Sequence, residues 1–227
     1  MTMLLNPYSF SPASGGGDPL WESVSSLLPF SGADGATTFP DSAGRTWERN
    51  GAVEIDTAFS KFGSSGLFSG GRLDCSDSEI SVGPGDYTIE TFIRGTQFGA
   101  SSGGTILDNR AGTVTTNLVV FNPNSSSSLV FFADGAIRVT TSALENGVIY
   151  HFAICKVSGV TRVFINGVQQ GSNYIDSNDY TFSTLRLGQN LLGSSPFIGH
   201  MEQFRLSKSA RYTANFTPPA SPFPNSL

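Results

Sequence analysis

"YHFAICKVSGVTRVFINGVQQGS", residues 150–172, decides the fold. Two apolar runs, 150–157 and 160–165, are separated by Ser158-Gly159, and the second is followed at once by Asn166-Gly167. Asn-Gly supplies the positive φ angles that a two-residue hairpin requires, so the chain reverses twice within a short span. Two successive hairpins make a meander, and a meander belongs to an antiparallel sheet.

The rest of the chain repeats this grammar. In "YTIETFIR" (87–94), Tyr87, Ile89, Thr91 and Ile93 share one face, and Thr88, Glu90, Phe92 and Arg94 share the other. "LVVF" (118–121) and "LVFF" (129–132) flank the loop "NPNSSSS" and read as strands buried on both sides. Asp134-Gly135 then turns the chain into "AIRVTTS". "LRLG" (185–188) and "FIGHMEQFRLS" (197–207) add two strands, whereas "TPPASPFPNSL" (217–227) is too rich in proline to continue a sheet. Of 227 residues 38 % are hydrophobic and only 14 % charged, with 26 Gly and 18 Phe, which favours short strands and turns over helices. Many amphipathic strands without helices must bury their apolar faces against each other. The expected fold class is therefore all-β, a two-sheet antiparallel sandwich.

The N-terminal segment differs. "NPYSFSPASGGGDPL" mixes Pro, Ser and a Gly triplet and sets residues 1–25 apart as an arm, with the sandwich spanning 26–227. Leu4, Leu5, Tyr8 and Phe10 are the candidate anchor residues of that arm, because a solvated linker rarely spends aromatics. Asp18-Pro19 is placed to cap a short helical turn through Trp21 and Val24. The net charge of −5 and the lack of a basic cluster disfavour nucleic-acid binding. No apolar run approaches the ~18 residues of a membrane span, and "MTMLLNPYSF" does not read as a secretory signal. Cys75 and Cys155 lack metal spacing and read as two buried thiols, with a disulfide as the alternative.

Several segments then resemble one family in the correct order. The meander above and "GDYTIETFIRG" (85–95) resemble strands of laminin-G-like, concanavalin-A-like jelly rolls. "FIGHMEQFRLSKSARYTANFTPP" (197–219), above all "ARYTANFTPP", resembles the ending of such modules in bacteriophage virion proteins. "LLPFSGADGATTFPDSAGR" (27–45) and "SKFGSSGLFSGG" (60–71) resemble their opening strands. The resemblance implies a jelly roll on a phage particle, in tail, fibre or capsid-surface proteins. It further implies virion proteins as partners, a closed homo-oligomer such as a trimer, and display on the virion surface after synthesis in the bacterial cytoplasm. Met201-Glu202-Gln203 departs from the pair of acids common in that family, while Arg205 is retained.

The candidate chemistry begins with "VEIDTAF" (53–59), where Glu54 and Asp56 fall on one face of a strand. E-I-D resembles the start of the E-x-D-x-x-E acid motif of laminarinase-type β-glucanases. A retaining glycosidase needs a second carboxyl ~5–5.5 Å from the first, but the positions that should supply it hold Ala58 and Phe59. No catalytic residue is assigned. Glu54 and Asp56 are expected on a solvated face, with Val53 and Ile55 inward. His151 and His200 have no nucleophile beside them in sequence. "GGGD" (15–18) and "GASSGG" (99–104) lack the remainder of a phosphate loop. Calcium is the one cofactor considered, with Asp34 and Asp41 as candidate ligands and Asp108 and Asn109 in another loop. For sugars, the loop 166–182 and its surroundings offer Trp47, Tyr174 and Tyr180 as stacking aromatics beside polar groups. The expected function is a non-enzymatic virion structural module: capsid decoration, head fibre or tail appendage. A host-glycan-binding adhesin is the alternative, and a glycan-cleaving enzyme ranks third.

Overall fold

A computed structural model of the protein describes residues 16–110 and 117–227. Fifteen strands follow one another among the described residues. The first seven are β1 (Val24–Leu28), β2 (Glu48–Asn50), β3 (Val53–Asp56), β4 (Ser65–Ser69), β5 (Arg72–Cys75), β6 (Tyr87–Gly95) and β7 (Gly104–Asp108). Next come β8 (Leu118–Asn122), β9 (Ser128–Ala133), β10 (Ala136–Ala143) and β11 (Tyr150–Val157). The last four are β12 (Val160–Ile165), β13 (Val168–Ile175), β14 (Leu185–Leu187) and β15 (Ile198–Ser207). They form two sheets. The eight-stranded sheet runs β13-β12-β11-β6-β15-β4-β3, with β1 also paired to β15, and the seven-stranded sheet runs β10-β9-β8-β7-β14-β5-β2. Every pairing between these strands is antiparallel.

The turns sit where the dipeptides placed them. Ser158 and Gly159 have φ of 49° and 74°, and Asn166 and Gly167 have 49° and 75°. Gly167 is also fixed by packing, since a Cβ there would lie 1.9 Å from the Phe216 carbonyl oxygen. Inward side chains such as Leu73, Ile89, Ile93, Leu107, Phe131, Phe152 and Phe204 meet in one core between the sheets.

The alternation in β6 is as read, but its second face is also buried. Thr88, Glu90 and Phe92 lie under the chain's own ends. Beyond β15 the closing segment crosses this outer surface as a strap. Ala210 and Tyr212 pack on Ala153, Cys155 and Phe164, while Phe223 packs on Phe92 and Leu27. Tyr212 and Phe216 stack at 3.6 Å, and the Phe216 amide donates to the Gly167 carbonyl at 2.9 Å. Proline removes donors that would go unpaired in such a strap, so a Pro-rich tail suits a covering segment rather than a strand.

Two expectations need correction. The boundary between residues 25 and 26 falls inside β1, and the folded unit reaches back to Asp18, which is buried. The turn after Asp18-Pro19 exists, with Leu20 N donating to Asp18 Oδ1 at 3.0 Å, but it is a single 3-10 turn ending at Ser23. As read, Cys75 and Cys155 are two free, buried thiols, one in the inter-sheet core and the other under the strap. Leu4, Leu5, Tyr8 and Phe10 lie outside the described residues. Among the described residues no helix is long and apolar enough to cross a membrane.

Candidate functional site

The sandwich has two outer faces, and they differ in chemistry. On the eight-stranded sheet, β6, β11 and β15 bring Glu90, His151 and Arg205 together beneath the strap. Glu90 Oε1 accepts from Arg205 Nε at 3.0 Å and Nη2 at 2.7 Å. Glu90 Oε2 is bonded to His151 Nε2 at 3.1 Å and accepts from the Tyr212 hydroxyl at 2.8 Å. Asp18 accepts from Arg205 Nη1 at 2.9 Å and from Arg211 Nη1 and Nη2 at 3.1 and 2.8 Å. Burial pushes the Glu90 carboxyl up, but the Arg205 charge, the His151 hydrogen bond and the Arg211 charge outweigh it and hold it well below the ordinary carboxylate range. Burial, then the neighbouring Glu90 charge, raises the Tyr212 phenol well above its usual value. Both carboxylates and both guanidinium groups are engaged with each other. A cavity of about 320 Å³ adjoins the cluster, walled by Leu20, Pro219, Pro222 and Phe223. This constellation ties Asp18 to the closing strap, and Asp18, Arg205, Arg211 and Tyr212 also line that cavity.

The outer face of the seven-stranded sheet is only partly covered: Asp108, Val119 and Val130 are buried, whereas Phe121, Phe132 and Ile137 reach the surface. Arg186 pairs in register with Asp74 and Asp108, Asp108 with Val119, Val119 with Phe132, and Phe132 with Ile137, so these side chains form one row across the sheet. One end of the row is charged and the other apolar. At their junction lies a hollow of about 410 Å³ whose lining includes Arg110, Phe121, Asn124, Phe132, Asn190 and Ser195. Phe121 and Phe132 are half-buried, so "LVVF" and "LVFF" are not covered on both sides as expected; Val119 and Val130 are buried, but the phenylalanines are not.

The polar rim is built on a fully buried carboxylate. Asp108 Oδ1 accepts from Arg110 N at 2.8 Å, and Arg110 Nη2 reaches Asp108 Oδ2 at 2.6 Å. The same Oδ2 accepts from Leu191 N at 2.8 Å, which ties the loop carrying Asn190 to the arginine. Asn190 Oδ1 accepts from Leu192 N and Ser194 N, both at 3.0 Å, and thereby shapes that loop. Asn122 Nδ2 donates to the Ser126 and Ser128 carbonyls and fixes the facing loop. Asn124, in that loop, is exposed.

The residues singled out from sequence lie elsewhere. Tyr180 is fully buried, its hydroxyl 3.0 Å from Asp176 Oδ2, and Trp47 is buried edge-on against Phe204 at 5.7 Å. Neither presents a ring for stacking, because each hydroxyl or indole N–H found an internal partner that let the ring enter the core. Tyr174 is half-buried, between Phe131 and the Arg138 guanidinium, 4.6 Å from its ring.

The candidate calcium ligands have internal partners too. Asp41 accepts from Ser26 Oγ at 2.5 Å, Ala43 N at 2.7 Å and Trp47 Nε1 at 3.0 Å, which pins the opening loop to β1. Asp34 accepts from Thr57 N at 3.1 Å. Asn109 Oδ1 accepts from Leu118 N at 2.8 Å. Among the described residues, no three His, Cys, Asp or Glu side chains converge as a metal cluster would require.

Glu54 is exposed, with Val53 and Ile55 buried as read. Asp56 corrects the expectation of a solvated acid: it is half-buried and bonded through Oδ2 to His200 Nε2 at 3.0 Å. Burial alone would raise the Asp56 carboxyl, but the His200 and Ala58 hydrogen bonds leave it lowered.

Two antiparallel sheets stacked face to face, one strapped over and the other partly covered, define a two-sheet β-sandwich. The sequence of residues 69–215 matches the laminin-G model described as the concanavalin A-like lectin/glucanases superfamily. The chain belongs to that family. A search of curated proteins finds no match in sequence. Among solved structures, domain 4 of AbnA, an extracellular arabinanase of Geobacillus stearothermophilus bound to arabinotriose, is 16 % identical. The alignment covers 83 % of this chain and 93 % of that one, with a TM-score of 0.65. A botulinum neurotoxin type C structure, whose cell entry depends on two ganglioside molecules, is 13 % identical over 84 % of this chain and 49 % of its own, TM-score 0.64. The Trypanosoma rangeli sialidase is 12 % identical over 83 % of this chain and 31 % of its own, TM-score 0.59. At these identities the likeness is one of fold.

Proposed function

We propose that this protein is a non-enzymatic, surface-displayed module that binds glycans through the hollow on its seven-stranded sheet. One observation carries this reading. The hollow lies on the face opposite to the one where Asp18 and the closing strap are tied down, so a module attached through the segment before Asp18 presents the hollow outward. Sugars have apolar C–H faces and hydroxyl edges. Two half-exposed phenylalanine rings beside an arginine and the exposed Asn124 amide match both.

The bacteriophage setting rests on "ARYTANFTPP" and its flanks. It makes the protein a capsid decoration, head fibre or tail appendage, joined to other virion proteins through residues 1–15 and Leu4, Leu5, Tyr8 and Phe10 in particular. Host-surface glycans are then the ligands, and a homo-oligomer such as a trimer would multiply weak single sites. The non-enzymatic reading is supported by Glu54, which stands without the second glutamate, and by Glu90, which is sealed among cations.

A glycan array probed with the intact protein, together with immunolabelling of purified phage particles, tests both halves. Binding to envelope saccharides and labelling of the particle surface are expected. Absence from particles would refute the virion assignment, and silence across the array would refute the glycan reading.

A further inference from the structure

Resting on the glycan reading above, we infer that the hollow selects acidic saccharides, and that Arg110 receives their carboxylate. The guanidinium offers five N–H donors along two forks. Asp108 occupies the fork made by Nε and Nη2, with Nε 3.0 Å from both carboxylate oxygens and Nη2 2.6 Å from Oδ2. The other fork, Nη1 with the second hydrogen of Nη2, has no partner among the described residues, and Arg110 lines the hollow. Its side chain is 31 % exposed while that of Asp108 is 0 % exposed, so the pair presents arginine, not aspartate, to a ligand.

The surrounding charge agrees. Asp108 is consumed by Arg110 and Leu191 N, whereas Asp74 accepts from Arg72 Nε at 2.8 Å and Asn50 Nδ2 at 3.0 Å through Oδ2 and faces Arg186 Nε at 3.5 Å through Oδ1. Arg186 anchors the Arg110 backbone, its Nη1 donating to the Arg110 carbonyl at 3.0 Å. Arg72, Arg110 and Arg186 stand on this face with Asp74, Asp108 and, at its β2 edge, the exposed Glu48, and of these charged groups Arg110 is the one that lines the hollow. A planar carboxylate docks on a guanidinium fork through two parallel hydrogen bonds, a match that a neutral hydroxyl cannot reproduce. Phe121 and Phe132 would then take the apolar face of the same sugar ring.

The test is titration calorimetry on the intact protein with tri-galacturonate and its methyl ester, and with sialyllactose and lactose. Each pair differs in an anionic carboxylate, by esterification in the first and by the whole sialyl residue in the second. At least one acid should bind tenfold or more tighter than its neutral partner, and Arg110→Gln should erase that preference. Because Arg110→Gln also leaves a buried Asp108 under-partnered, the acid-to-neutral ratio on the unaltered protein decides independently of that variant. Equal binding of acid and neutral partner overturns Arg110 as a carboxylate receptor and leaves the glycan reading standing. Binding of neutral array saccharides but of none of these four also overturns it. No binding to any saccharide here or on the array removes the glycan reading, and this inference with it.

Discussion

Tyr212 donates its phenolic hydrogen to Glu90 at 2.8 Å, across 122 positions of sequence. This bond joins the closing "ARYTANFTPP" motif to the central strand β6, and it explains what the motif does. Arg211 grips Asp18, Tyr212 caps Glu90 and stacks on Phe216, Asn215 Oδ1 accepts from Gln169 N at 2.9 Å, and Phe216 bonds Gly167. The motif that speaks most clearly for the family is a fastening strap.

Tyr212→Phe keeps the ring stack and deletes one donor to a buried carboxylate that retains three others. The expected loss is about 1.5 kcal/mol, read as a lower midpoint in urea with an unchanged slope. An unaltered midpoint would mean that the bond does not contribute.

Removing residues 1–16 should leave stability intact, whereas removing residues 1–20 should not. The longer cut takes away Asp18 and strands Arg205 and Arg211 in a buried site whose remaining anion is Glu90. Breaking a buried ion pair from one side costs about 3–5 kcal/mol, so the melting temperatures of the two truncations should separate clearly. Identical melting curves would contradict the assignment of Asp18 to the folded unit.

Acid should weaken the fold through Glu90. Its carboxyl lies below the ordinary 4.5 in the folded state, so its contribution is complete above that value and drains away as pH falls beneath it. Glu202 works the other way. Burial raises it despite the amides of Lys61 and Phe62, so its contribution is present at low pH and lost as pH rises. Glu90→Gln should be less stable near neutrality yet lose less stability between about pH 5 and 3, measured as melting temperature against pH. A parallel shift at every pH would contradict the ionised state assigned to Glu90.

Glu54→Gln should change nothing in an assay for reducing sugars, because the unaltered protein should release none. Hydrolysis of any host polysaccharide, abolished by this substitution, would reinstate the enzymatic reading.

The parts of the fold governed by local rules were legible. Asn166-Gly167 and Ser158-Gly159 dictate their own backbone angles, and the alternation of β6 follows from a period of two. The burial of Glu90 was not, since its partners stand at positions 151, 205, 211 and 212 and only the fold assembles them. Tyr180 looked like a loop aromatic amid polar neighbours; Asp176, four residues earlier, satisfies its hydroxyl and lets it sink. The hollow escaped because a short apolar run gives no sign of which face is covered. One signal was present: "LVVF" and "LVFF" each point a Val and a Phe away from the core, on either side of a loop rich in Asn and Ser.

Calorimetric titration of Phe132→Ala against Tyr174→Ala, with the strongest saccharide found on the array, tests the central claim most directly. The account predicts that Phe132→Ala weakens binding at least tenfold while Tyr174→Ala binds as the unaltered protein does. Loss of binding in Tyr174→Ala with full affinity in Phe132→Ala would contradict it and move the site to the loop of residues 166–182.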